Sequence, residues 1–292
     1  MRKIKEFVIE QSLLTSALIT IAVTFGIVAV LGFEAVIFFS EVSIIDFFTD
    51  TQWTPLFTDK HYGILPLLSG TLLTSFIAIS VALPVGLSIS IYLSEYAPTS
   101  FRKTIKPLLE LLAAVPTVVY GFFALIVVTP FLQSIYPNLS GFNALSAGIV
   151  MGIMIIPFVS SISEDALHAV PHSLREASFG MGSTRLQTAF KVVVPAASSG
   201  IIVSIILAIS RAIGETMIVA IAAGQQPRLT LDPTVPVETI TAYIVQVSLG
   251  DVQHGSIEYR TIFAAGITLF AFTFLLNTIS YRIRKKYQAR YE

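Results

Sequence analysis

The 292-residue chain has no cysteine, a single tryptophan and very little charge. Without thiols there is no disulfide framework and no thiolate metal site. Lys plus Arg and Asp plus Glu both number 18, so the formal net charge is zero, and charged residues make up only 12%. No strongly basic surface exists, which excludes most nucleic-acid binders. No lysine follows a glycine, so the G-x-x-x-x-G-K-[ST] phosphate loop is absent and any ATP chemistry belongs to another polypeptide. The four histidines, His61, His168, His172 and His254, are scattered over loops. Only His168 and His172 are close enough to share a metal, and no carboxylate triad surrounds them. No nucleophile–base arrangement stands out. The chain is therefore expected to be no enzyme, with no catalytic residue, metal or cofactor of its own.

Apolar residues are what the sequence has in plenty: 54% of the chain, with a mean hydropathy of +0.80. A soluble domain so apolar and so poorly charged would precipitate, so lipid is the expected solvent. A bilayer core of ~30 Å takes ~20 apolar residues in a helix. Six stretches qualify: 13–33, 65–93, 108–129, 143–162, 196–222 and 261–281. The first outruns a signal-peptide core and has no small-residue cleavage site after it, so it reads as a retained span. The fold class expected is an all-α integral membrane protein of six transmembrane helices. Residues 1–64 form an appended span and loop, 65–281 a five-helix core, and 282–292 a basic tail.

The loops divide by charge. One side holds Arg2, Lys3, Lys5, Arg102, Lys103, Lys106, Arg175, Arg185, Lys191, Arg282, Arg284, Lys285, Lys286 and Arg290. The other holds only Lys60, Arg228 and Arg260. By the positive-inside rule both termini are expected in the cytoplasm. Loops 41–64 and 223–260 then lie outside; the second carries Gln225, Gln226, Asp232 and Glu238, and its residues 236–249 have the period of a short helix across the outer mouth. Pro84, Pro116 and Pro157 fall inside the apolar stretches, where they either shape the bundle or free carbonyls toward a pathway. Gly148 and Gly152 give the small-xxx-small spacing of close helix packing.

Loop 163–195 carries the most pattern. Ser173-Leu-Arg-Glu176 and Thr184-Arg-Leu-Gln187 both have the spacing of a capping box, and Gly180-Met-Gly182 lies between them. This predicts two short helices outside the membrane, the second ending before Pro195. Leu174, Phe179, Met181, Leu186 and Phe190 give them an apolar surface, either for headgroups or for a partner.

The run Glu176-Ala177-Ser178-Phe-Gly-Met-Gly182, followed nine residues later by Val192-Val-Val-Pro195, resembles the EAA loop of ABC importer permeases. Ser178 stands where that pattern has a second alanine, and Val192 and Val194 where it has Ile and Leu. The resemblance implies a type I importer permease fold and a loop seated in a groove of an ATPase subunit. Glu110-Leu-Leu-Ala-Ala-Val-Pro-Thr-Val-Val-Tyr-Gly121, Gly70-Thr-Leu-Leu-Thr-Ser-Phe76 and Arg211-Ala-Ile-Gly-Glu-Thr-Met217 resemble the phosphate permeases of the Pst system. The extra first span favours that family's PstC branch over its PstA branch. The resemblance implies import of inorganic phosphate across the bacterial cytoplasmic membrane. It also implies three partners: a second, PstA-like permease subunit; two copies of a PstB-like ATPase; and an extracytoplasmic, PstS-like phosphate-binding protein. Permeases for sulfate, molybdate or phosphonate are the alternatives. Further off are a channel or secondary transporter, or a sensory scaffold docking through loop 163–195.

Arg211 and Glu215 are ionisable residues in the fifth stretch, where an arginine costs ~2.5–3.5 kcal/mol to insert. At i, i+4 they share one face of a continuous helix. Either they neutralise each other in the bundle, or Arg211 faces the pathway and meets an oxyanion bidentately, with Glu215 holding it when substrate is absent. Ser210 and Thr216 are candidate hydroxyl contacts by adjacency.

Overall fold

The computed structural model describes the backbone of residues 2–288 and the side chains of 5–282; Arg290, at the end of the basic tail, lies outside the described residues. Among them the chain is helical, with two isolated β-bridges, Trp53 to Tyr62 and Gly224 to Val237. The helices are α1 (Arg2–Glu41), α2 (Ile44–Thr49), α3 (Leu65–Glu95), α4 (Thr99–Ala113), α5 (Thr117–Ile135) and α6 (Ala144–His168). They continue with α7 (His172–Gly180), α8 (Arg185–Ala196), α9 (Ser198–Ile213), α10 (Met217–Ala222), α11 (Ile240–Leu249) and α12 (Ile257–Gln288). Five are long and apolar enough to cross a membrane, and α8 with α9, bent by 73° at Ala197, supply a sixth candidate.

The third apolar stretch, 108–129, is not one helix. Pro116 disfavours helical backbone at Val115 and lacks a donor, so the chain breaks at 114–116 and α5 starts at Thr117 with Pro116 as its N-cap. The segment before the break belongs to α4, a strongly amphipathic helix with Leu108, Leu111 and Leu112 exposed on one face. Pro84 and Pro157 do lie inside α3 and α6. The fifth stretch is also interrupted, at Gly214–Thr216 between α9 and α10.

Helix α6 is the axis of the bundle: 61% of its apolar window is buried, against 11% for α1. Lipid tails are as apolar as leucine, so membrane helices associate through close packing rather than through escape from water. The small residues of α6 permit it. A Cβ on Gly148 would sit 2.7 Å from Ile77 Cβ, and one on Gly152 2.8 Å from the Ala78 carbonyl oxygen, so α3 approaches to backbone contact. Ser163 and Ser204 share a hydrogen bond of 2.6 Å that joins α6 to α9.

At the end where α3 begins, α1, α2, the 50–64 loop, α11 and α12 share a second apolar cluster of Phe38, Phe47, Trp53, Ile64, Leu67 and Tyr243. Trp53 meets Tyr243 edge-on at 5.0 Å, a preferred aromatic geometry. Arg260 of α12 reaches Glu34 (3.3 Å) and Glu41 (3.4 Å) of α1, and Lys60 reaches Glu258 at 2.5 Å. The short helix expected in 236–249 is α11, starting at Ile240 with the Thr239 hydroxyl as its cap.

Candidate functional site

At the end where α3 stops, α7 and α8 form a helical hairpin, and α6 runs on to His168, so the linking loop is shorter than the 163–195 expected. The Thr184–Gln187 capping box forms in both directions. The Ser173–Glu176 box does not: α7 starts at His172 with Pro171 as N-cap and no side-chain cap bond, because proline already sets the entry turn two residues too early for Ser173 to serve. Nor does α8 end before Pro195. It passes through a π-turn at Ala189–Val193, and Pro195 sits in the first turn after it, where a missing N–H costs little. Gly182 makes the turn between the helices at φ +81°, a conformation that L side chains resist.

Within the hairpin the residues divide into two faces. Glu176 and Ala177 are exposed, as are Leu174, Phe179, Met181, Leu186 and Phe190, so the apolar surface read from the sequence is open on this chain. Arg175 and Ser178 point inward. The Ser178 hydroxyl is 2.9 Å from the Thr188 hydroxyl, so the departure from alanine supplies a tie between α7 and α8. Arg175 donates to the Glu95 carboxylate at the end of α3 (2.9 and 3.2 Å) and to the carbonyls of Leu167 (2.8 Å) and Val170 (2.5 Å). This buried guanidinium anchors the hairpin to α3 and α6. In the sequence it was indistinguishable from the other loop cations; only its position before Glu176 hinted at an inward face.

A second buried carboxylate, Glu164 of α6, is neutralised from α4 by Arg102 (2.5 Å) and Lys106 (3.0 Å). Two of the loop cations that set the charge asymmetry are thus structural. His168 lies against Arg102 (3.1 Å), and a turn separates it from His172, so the two are not on one helix face. Among the described residues no group of three metal-ligating side chains converges.

Arg211 is two residues from the end of α9 and exposed on this chain. The i, i+4 pair with Glu215 is not formed. Gly214 ends the helix, and the buried Glu215 turns to accept the Met217 and Ile218 amides at 3.2 and 3.3 Å, capping the start of α10. A carboxylate there complements the free N–H groups of a helix N-terminus. Thr241 Oγ1 donates to the Glu215 carbonyl at 2.7 Å, tying this joint to α11. The Arg211 guanidinium instead contacts Met154 Sδ (3.6 Å) and lies 5.7 Å from the Phe158 ring centroid, with no carboxylate in ion-pair range among the described residues. Ser210 donates to Asn277 Oδ1 of α12 (3.1 Å) and Thr216 to the Gly214 carbonyl (3.2 Å), so both hydroxyls are engaged within the chain. The geometry thus leaves one uncompensated cation at a broken mid-bundle helix, and a braced apolar hairpin at one end.

The class of this helical membrane protein comes from comparison with known proteins. Residues 82–292 match the binding-protein-dependent transport system inner membrane components, and the chain belongs to that family. It is 36% identical over 261 residues to the probable ABC transporter permease protein YqgH of Bacillus subtilis, covering 89% of this chain and 84% of that one. It is 35% identical to the phosphate transport system permease protein PstC of Mesorhizobium japonicum, over 84% of this chain and 79% of that one. Among solved structures, the bacterial alginate ABC transporter in complex with its pentasaccharide-bound periplasmic protein superposes with a TM-score of 0.62 at 19% identity, covering 94% and 95% of the two chains. The MetNI methionine transporter gives 0.55 at 20% identity, over 77% and 94%. The chain is therefore a multi-pass inner-membrane permease of the type I importer fold and not itself an enzyme. Its class works with a binding protein, an ATPase and a second permease subunit.

Proposed function

We propose that this chain is the PstC-type permease subunit of an ATP-driven importer of inorganic phosphate, and that Arg211 meets the anion in transit. The observation that carries the reading is the exposed Arg211 guanidinium, without an ion-pair partner among the described residues, on the helix that ends at Gly214. A buried salt bridge would be silent toward substrate. An uncompensated guanidinium presents a planar fork that matches two phosphate oxygens and stays charged at any working pH. The relatives named for phosphate transport favour that oxyanion over sulfate, molybdate or phosphonate.

The charge asymmetry of the loops supports cytoplasmic termini, with α7 and α8 on the cytoplasmic side and loops 50–64 and 223–239 outside. Glu176, Ala177 and Gly182 then belong to the surface offered to a PstB-like ATPase, braced from behind by Ser178 and Arg175 and continued by α8 through Pro195. A PstA-like subunit would close the open face around Arg211, and a PstS-like protein would deliver phosphate at the outer loops.

The test is uptake in vesicles holding the whole complex. Arg211→Gln should abolish phosphate uptake while insertion and assembly persist, and Arg211→Lys should keep only a small part of it. Uptake at wild-type rate in Arg211→Gln excludes the substrate role. Competition by sulfate, molybdate or phosphonate in the same vesicles separates the oxyanions.

A further inference from the structure

Helix α6 sets Met154 and Phe158 one turn apart on the same face, against the last turn of α9. Between them they hold the one charged side chain of α9. Arg211 Nη2 lies 3.6 Å from Met154 Sδ, and the guanidinium carbon lies over the Phe158 ring, 5.7 Å from its centroid. Met154 is buried and Phe158 half-buried, so the packing of the bundle axis fixes both, whereas Arg211 is exposed.

Three features set this contact apart from an ordinary ion pair. Neither partner is charged: a thioether is a weak acceptor, and a ring face attracts a cation through its quadrupole without neutralising it. The last turn of α9 adds carbonyls whose partial negative charge favours a cation there. Of the five N–H donors of a guanidinium, only one, on Nη2, meets an acceptor among the described residues, so the rest of the fork stays open. A carboxylate in place of Met154 or Phe158 would hold the arginine as firmly, but it would occupy the donors that an oxyanion needs. We propose that Met154 and Phe158 are positioning residues for the transported oxyanion, a charge-free cradle that fixes the Arg211 fork without competing for it. The proposal rests on the reading of Arg211 as the group that meets the anion.

The experiment uses the full transporter with its binding protein in proteoliposomes. It reads the maximal rate of inorganic phosphate uptake per assembled complex. Fluorine withdraws electron density from a ring face and scarcely changes its size, so mono-, di- and trifluorinated phenylalanine in place of Phe158 weaken the hold on the cation stepwise while the packing stays. Uptake should fall with each fluorine, by about fivefold in the trifluorinated ring, the order that a partly desolvated cation–ring contact supports. A merely structural phenylalanine gives no such gradient, and the same series at Phe25, exposed on α1, should be flat. Phe158→Tyr keeps the ring face and should keep most of the rate, whereas Phe158→Leu should fall at least as far as the trifluorinated ring. Met154→Leu conserves volume and removes the sulfur, so it should lower the rate about twofold, the low end for one hydrogen bond. A flat fluorine series at Phe158 overturns the proposal, as does an equal slope at Phe25 or a Phe158→Leu complex that transports like Phe158→Tyr. If Arg211→Gln abolishes uptake while the fluorine series is flat, the cradle alone fails. If Arg211→Gln transports at the wild-type rate, the substrate role beneath it fails. A wild-type complex that carries sulfate instead of phosphate is read with sulfate in the same series, so the choice of oxyanion is decided separately.

Discussion

Three charged residues show how a position in the sequence and a role in the fold come apart. Arg211 was legible, because an arginine within an apolar stretch is costly enough to demand a reason. Its partner was not. The i, i+4 spacing with Glu215 assumes a continuous helix, and Gly214 ends it one residue before Glu215. Glu215→Gln keeps an oxygen for the Met217 and Ile218 amides but loses the charge, so it should cost only about 0.3–1 kcal/mol of local stability. Glu215→Ala removes the cap as well and should cost about 0.5–2 kcal/mol, visible as faster amide exchange across α10. Glu238 had no periodicity to mark it, since it sits in an irregular segment and is buried only because α3 and α11 close over it. Its folded value of about 8 lies above the carboxylate value of 4.5, so the folded form binds the extra proton between those limits. The packing it supports is therefore fullest below pH 4.5 and weakens as pH rises toward 8. The Tyr243 phenol, itself held well above its ordinary value by burial, faces Glu238 from α11 and stays neutral throughout. Reactivity of Thr241→Cys toward a thiol reagent, divided at each pH by that of a free thiol, should rise between pH 6 and pH 9, and this normalised rise should vanish when Glu238→Gln is added.

At the scale of the element, sequence pattern located helices well and their ends poorly. Long apolar runs announced α1, α3, α6 and α12, because nothing else tolerates so many adjacent apolar side chains. The third run misled, since composition hides the change at Pro116 from an amphipathic helix on the surface to a span. What betrays it is the mixture of Arg102, Lys103, Lys106 and Glu110 with leucines at helical spacing just upstream. Of two capping boxes with equal spacing, one formed. Ser173 lost to Pro171, which lies two residues earlier and starts the helix without a side-chain cap. The glycine positions were readable in kind and not in partner: Gly148 and Gly152 signalled close packing, but only the fold shows that α3 is what approaches. Gly152→Leu should force α3 and α6 apart and sharply lower the yield of assembled complex, measured by copurification of the second permease subunit. Gly182→Ala places a Cβ at φ +81° and should cost about 1–2 kcal/mol at the hairpin turn, read as weaker coupling of ATP hydrolysis to uptake.

Across the whole molecule, the two ends of the bundle are held by different chemistry. The hairpin end is braced by charge: Arg175 with Glu95, and Arg102 and Lys106 with Glu164, all mostly withdrawn from solvent. Removing one partner of such a pair strands the other charge and costs about 3–5 kcal/mol, whereas removing both together costs far less. Arg175→Met should therefore uncouple ATP hydrolysis from uptake, and adding Glu95→Gln should recover part of it. The opposite end is braced by aromatic contact and backbone, with Gly70 so close to the Glu238 carbonyl that a Cβ would lie 2.2 Å from that oxygen. Helix α3 touches both, as does α6, whose first amides donate to the Pro233 and Val235 carbonyls and whose last turns carry Glu164. The 31 residues of α3 run from Leu65 near one face to Glu95 near the other, about 45 Å at 1.5 Å per residue. Between its two tips Pro84 removes one hydrogen bond of the ladder, so any bending of this rod should concentrate there. A displacement arriving at the arginine-held tip would then reach the other end as a swing about that proline.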